Sequence, residues 1–302
     1  MRRPPFPRGG RATALFRYPD CEPAMPSEMD VISDSCYARV ADAVYRHCGI
    51  TLHDGKRALV QARLTKLLRH SPFPDAASYI EHVLANPGGP EFSAFIDALS
   101  TNLTSFFRES DHFAHLAGQV LPQLLAARRE GSRRLRGWSA AASTGEEPYS
   151  IAMTLQHALD AETGSWDALL LATDISTRVL KIAREGVYDP ARAGPIPQHL
   201  RVKYLATARG PHPFVQPIPK IRGLVRFAHL NLLDAWPFTG PFDFIFCRNV
   251  MIYFDKPTQQ KLIDRLGKVL GPGGVLFTGH SESLTGIAHR FRYIKPTIYQ
   301  KP

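Results

Sequence analysis

No stretch of the 302-residue chain approaches the ~18 consecutive apolar residues of a bilayer-spanning helix, so direct membrane insertion is not expected. Cysteine is sparse. Cys21, Cys36, Cys48 and Cys247 form no C-x-x-C pair and no metal-ligand pattern. A disulfide framework is thereby excluded, a reducing compartment (the cytoplasm) is indicated, and no metal is expected. The first 26 residues hold five Arg and six Pro but no apolar run of the secretory-signal type. A disordered basic tail is expected there. The glycine-rich phosphate cradle of dinucleotide-binding proteins is missing, as is any evident His/Asp or Cys/His pair that would activate a nucleophile. An Asn-Pro-Pro-Tyr motif, suited to a base flipped out of nucleic acid, is absent too.

What is there is a globular composition, 44% apolar and 21% charged, with length for one large or two ordinary domains. A formal charge of +10 calls for acidic partners, either nucleic acid or an acidic protein surface, without choosing between them. The basic residues are scattered rather than grouped with aromatics, which argues against nucleic acid.

Residues 27–100 read as an all-helical domain. Val40, Val44 and His47 share one stripe; Leu59 or Val60, Leu64, Leu67 and Leu68 a second; Tyr79, Ile80, Val83 and Leu84 a third, stopped at Asn86-Pro87-Gly88-Gly89-Pro90; Phe92, Phe95, Ile96 and Leu99 a fourth. The second helix carries Arg57, Arg63, Lys66 and Arg69 beside Lys56, between His53 and His70. Such a face is either simply solvated or a dock for an acidic helix. Residues 101–110 form a linker in which Phe106 and Phe107 must find something to pack on, which would fix Asn102 and Arg108.

From 111 to 302 the pattern is α/β. A helix is expected over 111–130, with strands at 135–141, 168–173, 224–230, 242–247 and 275–278 and a closing pair at 291–294 and 297–300. A helix over 257–270 is closed by Gly271-Pro272-Gly273-Gly274. Residues 188–223 are proline-rich, which predicts an inserted β-subdomain of short strands and loops.

Trp138 to Ser150 reads as strand end, small-residue turn and helix start, where a ligand could approach the backbone closely. Thr144 and Glu147 have capping-box spacing, which leaves Glu146 for a ligand, although the spacing alone does not decide between the two acids. Two carboxylates at a helix start would repel a pyrophosphate; they suit hydroxyls or a positive ligand. Asp174, ending the second strand, suits a ribose or caps the helix that follows. With Asn231, Arg248, Asn249 and the segment His280 to Glu282, polar residues gather at successive strand ends, the ligand-binding edge of an open α/β sheet.

These motifs resemble one family. Thr101 to Glu109, Ala140 to Ser150, Ala172 to Ile175, Asn231-Leu232, Phe246 to Asp255 and Gly279 to Ser283 stand in the order found in the CheR-type chemotaxis receptor methyltransferases, over residues from about 30 to the end. The resemblance implies a class I, Rossmann-like S-adenosylmethionine-dependent fold with a small inserted β-subdomain and an all-helical N-terminal domain. It implies methyl esterification of glutamate side chains on chemoreceptor helices, with S-adenosylhomocysteine as product. It further implies that Asn102, Thr104, Arg108, Glu146 (or Glu147), Asp174, Asn231, Leu232, Arg248 and Asn249 hold the cofactor, and that Arg108 and Tyr253 serve the transfer. Arg57, Arg63, Lys66 and Arg69 then become a dock for an acidic receptor helix. A monomer is expected.

Overall fold

The computed structural model describes residues 32–69, 71–100 and 102–302. The tail expected over 1–26, His70 and Thr101 lie outside the described residues. No helix among them is long and apolar enough to cross a membrane.

Four helices form first: α1 (Asp34–Cys48), α2 (Arg57–Leu68), α3 (Ala76–Ala85) and α4 (Pro90–Leu99). The side chains of Ser33 and Asp75 cap α1 and α3 by accepting from Cys36 N and Ser78 N, and Pro90 opens α4 where no intrahelical donor is lost. Val40, Val44, Val60, Leu64, Ile80 and Phe95 interlock as a core of this unit. Of the two candidates on α2, Val60 turns inward and Leu59 stays 43% exposed.

The helix expected over 111–130 is three pieces: α5 (Ser110–His115), a wider π turn over Leu116–Val120 and α6 (Leu121–Arg128). Then come β1 (Arg134–Ser139), α7 (Glu146–Leu159), β2 (Asp167–Asp174) and α8 (Thr177–Glu185). The insertion holds α9 (Gln198–Tyr204), β3 (Leu205–Ala208), β4 (Phe214–Pro217) and α10 (Pro219–Gly223). Its hairpin β3–β4 is a separate antiparallel sheet. Two short helices stand where only strands and loops were expected, because Pro197 and Pro219 sit at helix starts, the one place proline favours a helix. The chain closes with β5 (Val225–His229), β6 (Phe242–Cys247), α11 (Lys256–Val269), β7 (Leu270–Thr278), β8 (Arg292–Lys295) and β9 (Ile298–Gln300). β7 begins five residues earlier than expected: Gly271 to Gly274 stay in the strand, with a register irregularity between Phe242 and Phe244 on the neighbouring strand.

The main sheet has the order β5-β2-β1-β6-β7-β9-β8. Its first five strands run parallel and the β9–β8 edge is antiparallel. Chain order reverses between β1 and β6, the switch point at which such sheets open a crevice beyond their carboxyl ends. Phe106, Ile151, Leu170, Phe244 and Phe277 fill one face of the sheet, and Trp138, Ile245, Leu266 and Leu276 the other.

Candidate active site

A cavity lies above the switch point, and the helical domain roofs it. Ala140, Ser143, Glu147, Asp174, Arg248 and Asn249 come from the strand ends; Asn102, Thr104 and Arg108 from the linker; Leu52, Lys56, Val60 and Arg63 from the helical domain. Leu230, Asn231, Leu232 and Tyr253 complete the wall.

The two acids at the start of α7 part company. Gly145 stands before the helix at φ 99°, and no side chain caps that end. A Cβ there would come within 2.6 Å of the Tyr188 hydroxyl, so only glycine makes the turn. The capping box expected of Thr144 and Glu147 does not form: the Thr144 hydroxyl donates instead to Glu146 at 2.6 Å. Glu146 faces the insertion and pairs with Arg192, away from the cavity. Glu147 is the acid in the cavity wall. Its Oε1 accepts from Ser139 Oγ at 2.7 Å and its Oε2 from Arg248 at 2.9 Å. Successive helix residues point about 100° apart, so one acid faces in when the other faces out. Burial pushes the Glu147 carboxyl up and Arg248 opposes it.

Arg248 is 3% exposed, and beyond Glu147 its terminal nitrogens reach Glu109 at 2.8 Å and donate to the Arg108 carbonyl at 2.6 Å, while its Nε is buried without a hydrogen-bond partner. Burial alone would raise the Glu109 carboxyl; Arg248, Asn249 and His280 outweigh it and hold it below its usual range. Asn249 also turns inward. Its Nδ2 donates to Glu109 Oε1 at 3.2 Å and its backbone N–H to Glu282 at 2.7 Å. Glu282 accepts from Gly279 and Ile252 N–H groups as well, so it braces the loop after β6 instead of entering the cavity. His280 and Ser281 do not line the cavity among the described residues.

Asp174 accepts from Ser143 N at 2.8 Å and Ser176 N at 2.9 Å, and burial raises its carboxyl despite both donors. It does not cap α8; Ser176 does, accepting from Val179 N. Phe106 and Phe107 are buried as expected of the linker, and they seat Arg108, whose guanidinium donates to the Leu103 carbonyl at 2.9 Å. The Asn102 carbonyl accepts from Ser143 Oγ at 3.0 Å, while its Nδ2 is buried with no hydrogen-bond partner. Asn231 crosses between domains: its Nδ2 donates to the His47 carbonyl at 2.6 Å. The Lys56 ammonium lies 5.2 Å from the centre of the Tyr253 ring.

The basic residues of α2 divide. Arg57 pairs with Asp34 and donates to the Ile32 carbonyl at 2.8 Å, and Arg63 donates to the Leu99 and Ser100 carbonyls. Both hold their own domain together. Lys66 and Arg69 are exposed.

Sequence reasoning missed Glu109 as a hub. It stands inside the motif Thr101 to Glu109, yet its residue type does not separate it from a surface acid. It also missed the roof, Leu52, Lys56 and Val60, which only tertiary packing brings over the sheet.

The cavity fits S-adenosylmethionine by its donors and acceptors. It offers the unpartnered Asn102 amide to a carboxylate, two buried acids to hydroxyl and ammonium groups, and Leu230 and Leu232 to a flat ring. Fold and site together define a class I, Rossmann-like methyltransferase. Residues 36–100 match the CheR methyltransferase all-alpha domain, and residues 102–300 the CheR methyltransferase SAM-binding domain. The chain is 43% identical to the chemotaxis protein methyltransferase of Salmonella typhimurium, covering 89% of this chain and 90% of that one. It is 44% identical to chemotaxis protein methyltransferase 2 of Pseudomonas aeruginosa, covering 87% and 91%, and 43% identical to the Escherichia coli enzyme, covering 90% and 93%. The chain belongs to the CheR methyltransferase family, and S-adenosylmethionine is its cofactor.

Proposed function

We propose that this chain esterifies glutamate side chains on acidic helices of chemoreceptors. One observation carries the reading: among the described residues that line the cavity there is no histidine, while Glu147 and Asp174 lie at its floor and Lys56, Arg63 and Arg108 along its upper wall. A glutamate carboxylate is already ionised at neutral pH, so as a nucleophile it needs no general base. It needs positive charge to bring it in, orientation, and shelter from water.

When bound, S-adenosylmethionine supplies a methyl group made electrophilic by its sulfonium. Glu147 and Asp174 would accept hydrogen bonds from the cofactor's ammonium and hydroxyl groups. Asn102 would donate to its carboxylate, Thr104 would line the transfer region, and Asn231 and Leu232 would flank its base. Arg248 and Asn249 act through Glu147 and Glu109: Arg248 pairs with both acids and the Asn249 Nδ2 donates to Glu109, so they hold the acids in place. Arg108 would grip the incoming carboxylate with its planar fork. Tyr253, beside Lys56, would add a hydroxyl contact. On α2 the docking role falls to Lys66 and Arg69, since Arg57 and Arg63 are held by their own domain.

Incubation with methyl-labelled S-adenosylmethionine and chemoreceptor-containing membranes, followed by mild alkali, tests the reading. Label on the receptor that leaves as methanol marks a carboxyl methyl ester. Label that resists alkali, or that appears only on nucleic acid, contradicts it.

A further inference from the structure

The turn that leads into α7 is held from outside itself. Ser143 at φ 47° and Gly145 at φ 99° both take left-handed backbone, a costly shape for a residue with a side chain, and no side chain caps the helix that follows. On the cavity side Ser143 is tied down: its N–H donates to Asp174 at 2.8 Å and its hydroxyl to the Asn102 carbonyl at 3.0 Å. The ties on the other side come from the insertion. The Tyr188 hydroxyl donates to the Thr144 carbonyl at 2.8 Å. Arg192 pairs with Glu146, and its Nη2 lies 3.5 Å from the Thr144 hydroxyl.

The Glu146 side chain is 0% exposed, and a carboxylate so buried needs a cation. One of its oxygens accepts from the Thr144 hydroxyl; the other accepts no hydrogen bond and is balanced by the guanidinium beside it. Among the described residues Arg192 is the one cation paired with it. Asp189 accepts from Ala191 N at 2.7 Å, and the short helical turn Pro190–Ala193 so capped presents Arg192, with its guanidinium 5.7 Å from the centre of the Tyr188 ring. Tyr188 is itself fixed. It is 2% exposed, exchanges backbone hydrogen bonds of 3.0 and 2.9 Å with Val215 of β4, and meets the Phe106 ring edge-on at 5.0 Å. Hairpin, linker and cofactor turn thus meet at one side chain. Glu146 and Glu147 share one helical turn, so what grips Glu146 on the insertion side sets where Glu147 stands on the cavity side.

We propose that Tyr188 and Arg192 are positioning residues for S-adenosylmethionine binding. They act through Thr144 and Glu146 on Ser143 and Glu147, so the insertion belongs to the cofactor site although none of its described residues lines the cavity.

Calorimetric titration of the full chain with S-adenosylmethionine, well below its unfolding temperature, tests this. Tyr188→Phe keeps the ring and loses the bond to Thr144; it should bind about fivefold more weakly, and Arg192→Ala ~10-fold more weakly. Arg192→Lys keeps a charge beside Glu146 and should recover most of the loss. Lys220→Ala loosens the insertion at a different attachment, Asp160, and should bind the cofactor as the parent does. A role confined to stability would lower the unfolding temperature of the Tyr188 and Arg192 variants and leave the affinity of the folded protein unchanged. That result, no recovery in Arg192→Lys, or an equal loss in Lys220→Ala would each overturn the proposal. If Arg192→Ala does not fold, Tyr188→Phe decides by the same measure.

Discussion

Two arginines bound the cavity, and they are treated differently. Arg248, at the floor, is 3% exposed and commits its guanidinium to Glu147, Glu109 and a backbone carbonyl. Arg108, at the rim, has a side chain 37% exposed, donates to the Leu103 carbonyl and stays 3.9 Å from Glu109. A buried guanidinium whose two terminal nitrogens are held by two carboxylates and a carbonyl builds a fixed surface. A half-exposed one with capacity left over can take a new partner. The floor is thus prepared for a ligand that always has the same shape, and the rim for one presented by another protein.

The largest effect should come from breaking the floor. Arg248→Met leaves two buried carboxylates without their shared cation, a loss on the order of 3–5 kcal/mol in urea denaturation. A change below about 1 kcal/mol would mean that the floor is not held by this pair. Next is the clamp between the helical domain and the sheet. Asn231→Ala removes the bond to the His47 carbonyl and should cost roughly 1–2 kcal/mol, read by calorimetry as ~10-fold weaker S-adenosylmethionine binding. At the rim, Lys66→Glu combined with Arg69→Glu should raise KM for receptor about fivefold at low salt, with the gap closing as ionic strength rises. Cofactor affinity should not move; if it fell equally, the double variant would be misfolded rather than undocked.

The smallest effect lies on the insertion. Lys203 and Lys220 reach Asp160 at 2.6 and 2.7 Å, and the Tyr204 hydroxyl donates to it at 2.8 Å. Burial pushes the Asp160 carboxyl up, but these partners with Gln156 outweigh it and hold it well below the usual range. A carboxyl depressed on folding contributes stability above its unfolded pKa and loses it as pH falls through its folded pKa. Asp160→Asn should therefore cost about 0.5–1 kcal/mol at neutral pH, and the gap to the parent should narrow as the solution is acidified below the ordinary Asp range. A gap that is constant with pH would show that the lost contact is not ionic.

The helical unit was legible because Val40, Val44, Ile80, Phe95 and Leu99 repeat with helical spacing, and that spacing survives whatever packs against it. The edge of the sheet was legible because polar residues recur at strand ends. Which of Glu146 and Glu147 faces the cavity was not. Thr-x-x-Glu spacing reads the same whether or not a cap forms, and here a glycine at positive φ starts the helix instead. His280 to Glu282 looked like a ligand segment, but its acid serves backbone N–H groups that no sequence pattern reveals. The roof residue Lys56 and the hub Glu109 gain their places from contacts distant in sequence. Glu109 itself sits at φ 57°, an uncommon conformation for a residue with a side chain.

The division between floor and rim is tested most directly by Arg108→Ala, measured two ways on one preparation: S-adenosylmethionine affinity by calorimetry and methyl transfer to receptor. Unchanged affinity is expected, with transfer reduced roughly 10²-fold, the loss that follows when the acceptor is misplaced in the site. Near-normal transfer, or a loss of cofactor affinity as large as the loss of transfer, would contradict it.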